Sequence, residues 1–282
     1  MSTGQTPSFL SKDRHSKGML AWNDAGDGFV LQVTTPSWPA AGGKRIPRKA
    51  DGNTLGCIQN NNLKFAQHFF ALRLSKSDLL KVLAALKNAS VVTDPDDPQI
   101  VKNGGPPEVE HLVASLGQKS DSTTYTKDEL SSKVILISKP SGLHVPPWQM
   151  VSSVLGGIPL RTATWWAEPK IYSTKSRKPT CWDHEQLETP GPVEIALTGH
   201  WQQTDFKLVG SANHAKVGVS ISGSKHYTIL GDMNQQGTAF TPKCGRSQNG
   251  RGGLFFVLNN PALFESVTGL IDGETAGTRA KE

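Results

Sequence analysis

Apolar residues in this chain come in short runs separated by polar, glycine-rich turns, and two pairs of runs share one layout. The first pair is Gly18-Met19-Leu20-Ala21-Trp22, a turn over 23–28, and the run 29–33. The second is the run 217–221, a turn over 222–225, and the run 226–230. Each pair predicts a β-hairpin, because the runs have strand length and the breaks carry Gly, Asn, Asp and Ser. Between them the period changes. Ser75, with Asp78 three positions on, precedes Leu79, Val82, Leu83 and Leu86, which predicts a capped amphipathic helix over 75–90.

Residues 133–138 predict a buried strand, and 147–155 a helix with proline in its first turn and Gly156-Gly157 at its end. Residues 159–166 predict a strand with Arg161, Ala163 and Trp165 on one face, followed later by a strand at 254–258 and a helix at 261–271. Strands alternate with helices, so the fold class is α/β. Residues 91–130, rich in Asp, Pro, Gly, Ser and Thr with one short helix near 107–117, read as an excursion between two halves. The halves are placed at 1–130 and 131–272, with a polar tail at 273–282 that is expected to fray.

Thirty Lys and Arg against 24 Asp and Glu leave a formal charge of +6, a mild bias toward polyanionic partners. Protonating all eight histidines would more than double that charge, so affinity for DNA is expected to rise as the pH falls. Cys57, Cys181 and Cys244 are far apart, which supports neither a zinc cluster nor a disulfide framework, although one disulfide can form. The first twenty residues lack the apolar core of a signal peptide, and no run is long enough to span a membrane. The localisation is left open.

The chemistry is carried by what stands before each hairpin. His15-Ser16-Lys17 opens the first and His214-Ala215-Lys216 the second. On extended backbone the histidine and lysine of each unit share a face. Two units brought together supply a nucleophile, a general acid and two ammonium groups around one volume, which suits cleavage of a phosphodiester without a metal or other cofactor. Ser37 and Asn234, at the far ends of the hairpins, are placed to hydrogen-bond a phosphate oxygen. The stretch Gly245–Gly253 holds Arg246 and Arg251 and reads either as a flexible surface loop or as a loop that brings an arginine, Arg251 in particular, to the phosphate. His68 reads as structural, while His184 and His200 could line a DNA surface or an apolar rim.

Taken together, these segments resemble the deoxyribonuclease II family, a branch of the phospholipase D superfamily. The resemblance rests on His15-Ser-Lys-Gly18 with Gly28-Phe29 and Pro36-Ser37-Trp38-Pro39, on Gly52-Asn-Thr-Leu-Gly-Cys57, on Leu155-Gly156-Gly157 through Trp165-Trp166, and on Asn213-His-Ala-Lys216 with Gly231-Asp-Met-Asn234, Arg251-Gly-Gly253 and Pro261-Ala-Leu-Phe264. It covers nearly the whole chain and is similar to the bacterial type. It implies a pseudo-twofold pair of α/β halves sharing one site. The implied activity is metal-independent, acid-favoured endonucleolytic cleavage of double-stranded DNA to 3′-phosphate and 5′-hydroxyl ends through a phosphohistidine, by a homodimer that clamps the duplex.

The resemblance makes His15, Lys17, His214 and Lys216 the catalytic set, without saying which histidine attacks. It departs from the family at three places. Ser37 stands where many relatives carry asparagine; Trp22 and Ile221 stand where the wider superfamily has an acidic residue; and only fourteen residues precede His15, so part of the first half and any export signal are expected to be missing. The alternatives are a phospholipase D-like phosphodiesterase acting on phospholipid, and an inactive DNA-binding or shortened relative.

Overall fold

The structure, a computed structural model, describes residues 8–9, 17–34, 66–91, 103–116 and 118–279. The strands β1 (Ser8–Phe9), β2 (Gly18–Trp22), β3 (Gly28–Val33) and β4 (Phe69–Leu74) form a four-stranded antiparallel sheet in that order. The β2–β3 turn closes as the sequence predicts. Asn23 Oδ1 accepts from the amides of Ala25 and Asp27, both at 3.0 Å, and Gly26 takes a φ of 88° against Lys76, where a Cβ would not fit.

The helix α1 (Lys76–Asn88) carries the full capping box at Ser75 and Asp78. Its stripe Leu79, Val82, Leu83 and Leu86 is wholly buried, worth about 1.5–3 kcal/mol per side chain before entropy is counted. The Asp78 carboxylate also takes both the backbone and hydroxyl donors of Ser131, tying the helix to a loop fifty-three residues away. The short helix α2 (Pro107–Ser115) falls within the stretch expected to hold one and packs on α1.

A seven-stranded mixed sheet forms the centre. Its strands are β5 (Thr126–Glu129), β6 (Ile135–Lys139), β7 (Leu160–Ala163), β8 (Val193–Ile195), β11 (Val217–Ser220), β12 (Tyr227–Gly231) and β13 (Gly253–Asn259), in the order β5-β6-β13-β12-β11-β7-β8. Only β7 and β8 pair in parallel among these strands. The separate hairpin β9 (Thr198–Trp201) and β10 (Thr204–Lys207) lies outside it. The helix α3 (Pro147–Val154) and the helix α4 (Pro261–Leu270) match the two predicted there.

The strand β13 shows why the interior has three layers. Its alternating side chains are buried on both faces: Leu254 and Phe256 join the core of α1, α2 and the first sheet, while Phe255 and Val257 join Trp148, Met150 and Val151 of α3. Phe70 of β4 meets Phe256 at 5.0 Å between ring centroids, so the two sheets share one core.

One expectation changes, and one possibility left open is realised. The tail beyond Asp272 does not fray as far as Arg279, because the buried Arg161 donates to the carbonyls of Ile271 (2.6 Å) and Gly273 (2.6 Å) and to Thr275 Oγ1. Ser173 Oγ fixes the Ala276 carbonyl at 2.5 Å. In addition, one disulfide does form, Cys181–Cys244, with a Cα–Cα distance of 5.1 Å. Cys57 lies outside the described residues.

Candidate active site

The register of the large sheet decides what meets. Gly253 pairs with Lys139, Gly231 with Phe255, and Val217 with both Leu230 and Ala163. The end of β6, the start of β13, the end of β12, the start of β11 and the end of β7 therefore lie along one edge. That edge collects Lys139, Arg251, Asp232, Lys216 and Trp165 from sequence-distant places.

The first hairpin is joined to this edge through a short stretch before β4. Ala66 bridges Asn213: its amide donates to Ala212 O at 2.9 Å, and its carbonyl accepts from the amides of His214 (2.8 Å) and Ala215 (2.9 Å). Two residues on, His68 is bound on one side to Thr34, at the end of β3, and on the other to Lys216, whose amide donates to its Nδ1 at 3.5 Å. Lys17 stands at the same end of the first sheet, since its carbonyl accepts from Val33. Lys17 and Asp232 line one cavity of about 30 Å³. His15 and Ser37 lie outside the described residues.

Three charges and an imidazole converge. Lys216 is 3% exposed and its Nζ donates to the His214 carbonyl at 2.6 Å. Burial, with the Lys17 ammonium adding to it, brings Lys216 down to about 7 in spite of the opposing pull of Asp232. Lys17 is likewise lowered by burial and raised by Asp232. His214 is lowered to about 4 by burial, then by Lys216, then by Lys17. Its ring lies 5.7 Å from that of Trp165 at an interplanar angle of 24°, a stacked arrangement. His68 is driven further, to about 3, by burial and by Lys216. It is a neutral imidazole that accepts at Nδ1 and holds Nε2 at 3.3 Å from Gln32 Oε1.

Asn234 is wholly buried; its Nδ2 donates to Gln236 Oε1 at 3.0 Å, and its Oδ1 has no partner. The glycine-rich stretch is not a loose loop. Ser247–Gly250 form a 3-10 turn, with Gln248 and Asn249 buried. Asn249 Nδ2 donates to Thr238 O at 2.6 Å, and Lys139 Nζ donates to the carbonyls of Asn249 (2.7 Å), Arg251 (2.9 Å) and Pro140 (3.3 Å). All three ammonium protons are thus used, although burial lowers Lys139 to about 7. The disulfide at Cys244 anchors the other end, so Arg246 and Arg251 project from a fixed frame.

Four residues of this arrangement escaped sequence reasoning. Asp232 sets a carboxylate near Lys17 and Lys216, and its signal is the Gly-Asp-Met-Asn element itself. Trp165 was placed only on a strand face, and β7 ends at Ala163 before reaching it. His68 is structural as read, yet its contact is with the site. Lys139 had no signal, since a lysine closing an apolar run reads as a solvated strand end.

Among the described residues, no group of three or more His, Cys, Asp and Glu side chains is placed to hold a metal ion, and no helix is long and apolar enough to cross a membrane. The family model for deoxyribonuclease II matches residues 5–274 of the 282. No curated protein matches the chain.

Proposed function

Because this chain belongs to the deoxyribonuclease II family, and so is a hydrolytic endonuclease acting on DNA, we propose that it cuts duplex DNA without a metal, through a phosphohistidine on His214. The observation that carries the assignment is the convergence on one sheet edge of the His214 ring, stacked on Trp165, with Lys216, Lys17 and Asp232. His214 stays neutral down to about pH 4, while Lys216 keeps its charge up to about pH 7. Between those limits a neutral imidazole faces fixed positive charge, and the middle of the window is acidic.

The His214 lone pair attacks phosphorus, forming the P–N bond as the P–O5′ bond breaks. The departing 5′ oxygen takes a proton from the imidazolium of His15. Water then gives a proton back to His15 and attacks phosphorus from the vacated side, the P–N bond breaks, and a 3′-phosphate leaves. Lys17 and Lys216 stabilise the equatorial oxygens throughout, which supplies the positive charge a metal would otherwise bring. Asp232 keeps the two ammonium groups charged and together. Trp165 holds the imidazole plane. Arg251 binds an adjacent phosphate oxygen, with Asn234 and Ser37 as polar support. Residues 1–130 and 131–272 are the two halves in this reading, and a second copy covers the face bearing Phe29 and Phe69, 40% and 62% exposed.

Plasmid nicking in EDTA from pH 3.5 to 8 tests the reading. Activity should persist in EDTA with a maximum between pH 5 and 6, and the ends should accept a kinase label at the 5′ side without prior dephosphorylation. Loss of nicking in EDTA, or full nicking by His214→Ala, overturns it.

A further inference from the structure

Beyond Trp165 and Asn234 the same edge opens into a cavity of about 370 Å³ lined in part by Glu168, Lys170, Phe240, Arg246 and Arg279. The two segments that form it are locked together. Lys170 bridges Gln236, the Gly237 amide donates to Pro169 O at 2.8 Å, and the Ile171 amide donates to Gln235 O at 3.3 Å.

The cations here are seated on aromatic rings. Trp166 and Tyr172 form an edge-to-face pair with centroids 5.1 Å apart; Lys170 Nζ sits 4.6 Å above the Trp166 ring and the Arg279 guanidinium 4.6 Å above that of Tyr172. The Trp166 indole N–H is itself tied to Ile171 O at 2.7 Å. Nearby, the Arg177 guanidinium lies 4.2 Å over Phe240. The ion pairs between described residues join Lys76 to Glu108, Lys133 to Glu129 and Arg161 to Glu194, and none of them involves Lys170, Arg246 or Arg279. One carboxylate, Glu168, lines the cavity beside these three cations. Ring-seated cations are preordered, and an anion binding them need not order them.

We propose that this cavity is a second phosphate-binding site for the DNA backbone, flanking the cleavage site; the inference rests on the nuclease reading above. Its distance fits. Lys170 is five residues from Trp165, at most roughly 18 Å of extended chain. The His214 ring lies 5.7 Å beyond Trp165, and one strand of a duplex presents a phosphate about every 3.4 Å along the axis, so the cavity lies within about seven base pairs of the scissile bond.

The test compares the wild type with Lys170→Gln/Arg279→Gln on a 30-base-pair duplex and on a mononucleotide nitrophenyl diester too short to reach the cavity. Binding of the uncut duplex is followed in parallel by fluorescence anisotropy in a His214→Ala background, from 25 to 200 mM salt. The double variant should weaken duplex binding roughly tenfold and reduce the slope of log Kd against log salt by about 1.8, or 0.9 per contact. The ratio of duplex to diester cleavage should fall with it, and Lys170→Arg/Arg279→Lys should restore the slope. An unchanged slope, or equal losses on both substrates, overturns the proposal. Failure of the wild type to cut any DNA would instead count against the catalytic reading, and the anisotropy series would still decide the cavity.

Discussion

Removing the Lys216 charge asks whether burial or neighbouring charge controls His214. Methionine at this position keeps the side-chain volume and discards the ammonium. The displacement of His214 from 6.5 to about 4 disfavours its protonated form by at most about 3 kcal/mol, since the ring is half-buried and solvent screens part of the effect. Burial is the largest cause, Lys216 the second and Lys17 the third, so removing the Lys216 ammonium relieves only part of the displacement. In Lys216→Met the imidazole should therefore titrate higher than in the wild type but still below its ordinary value. Trp165→Ala, which admits water to the stacked face of the ring, should move the midpoint in the same direction by relieving burial. The assay is a ring-proton NMR titration on ¹⁵N-labelled protein, with the His214 signal assigned by its loss in His214→Ala. A midpoint still at about 4 in Lys216→Met would mean that the ammonium does not act on the ring. A midpoint above 6 would mean that the ammonium, and not burial, is the main reason the wild-type ring stays neutral, reversing the order of causes.

Three further outcomes follow from the geometry. His68 resists protonation when folded but not when unfolded, so between pH 6.5 and 3 the unfolded chain binds the extra proton and stability falls with pH, by up to about 5 kcal/mol; His68→Gln should flatten the melting temperature across that window, as followed by circular dichroism. Opening the Cys181–Cys244 loop of 63 residues by a Cys181→Ser/Cys244→Ser double change should cost about 4 kcal/mol and lower the Tm by roughly 10 °C, and an unchanged Tm on reduction would contradict it. Burial raises the Asp78 carboxyl, but hydrogen bonds from Ser131 and Ser75 outweigh it and hold the group below its ordinary range; Asp78→Ala should cost about 2–3 kcal/mol in urea unfolding near pH 7, with the difference from wild type shrinking as the pH falls below 4.

Local pattern was enough for the hairpins and helices, because period and caps are written in neighbouring residues. The Ser75 box, the Gly156-Gly157 stop and the Asn23 turn all form where expected. What the sequence does not display is which strand ends share an edge, and the unpredicted parts of the site depend on that. Asp232, Lys139 and Trp165 come together only through the pairing of β13 with both β6 and β12 and of β11 with β7. The glycine-rich stretch misleads for a related reason. Its composition speaks for mobility, while its order comes from Lys139, 110 residues away from Asn249, and from a disulfide. The tail was likewise judged by its own polarity, and the buried guanidinium that captures it belongs to β7.

The place of β13 bears on how the parts of the site are held together. Residues 253–259 fill the slot between β6 and β12. Without them Lys139 and Asp232 would belong to separate ribbons, whereas Lys17 and His214 would still be linked through residues 66–68. Loosening β13 would therefore part the corner that holds Lys139 from the corner that holds Asp232, while leaving the link between the first sheet and His214 in place.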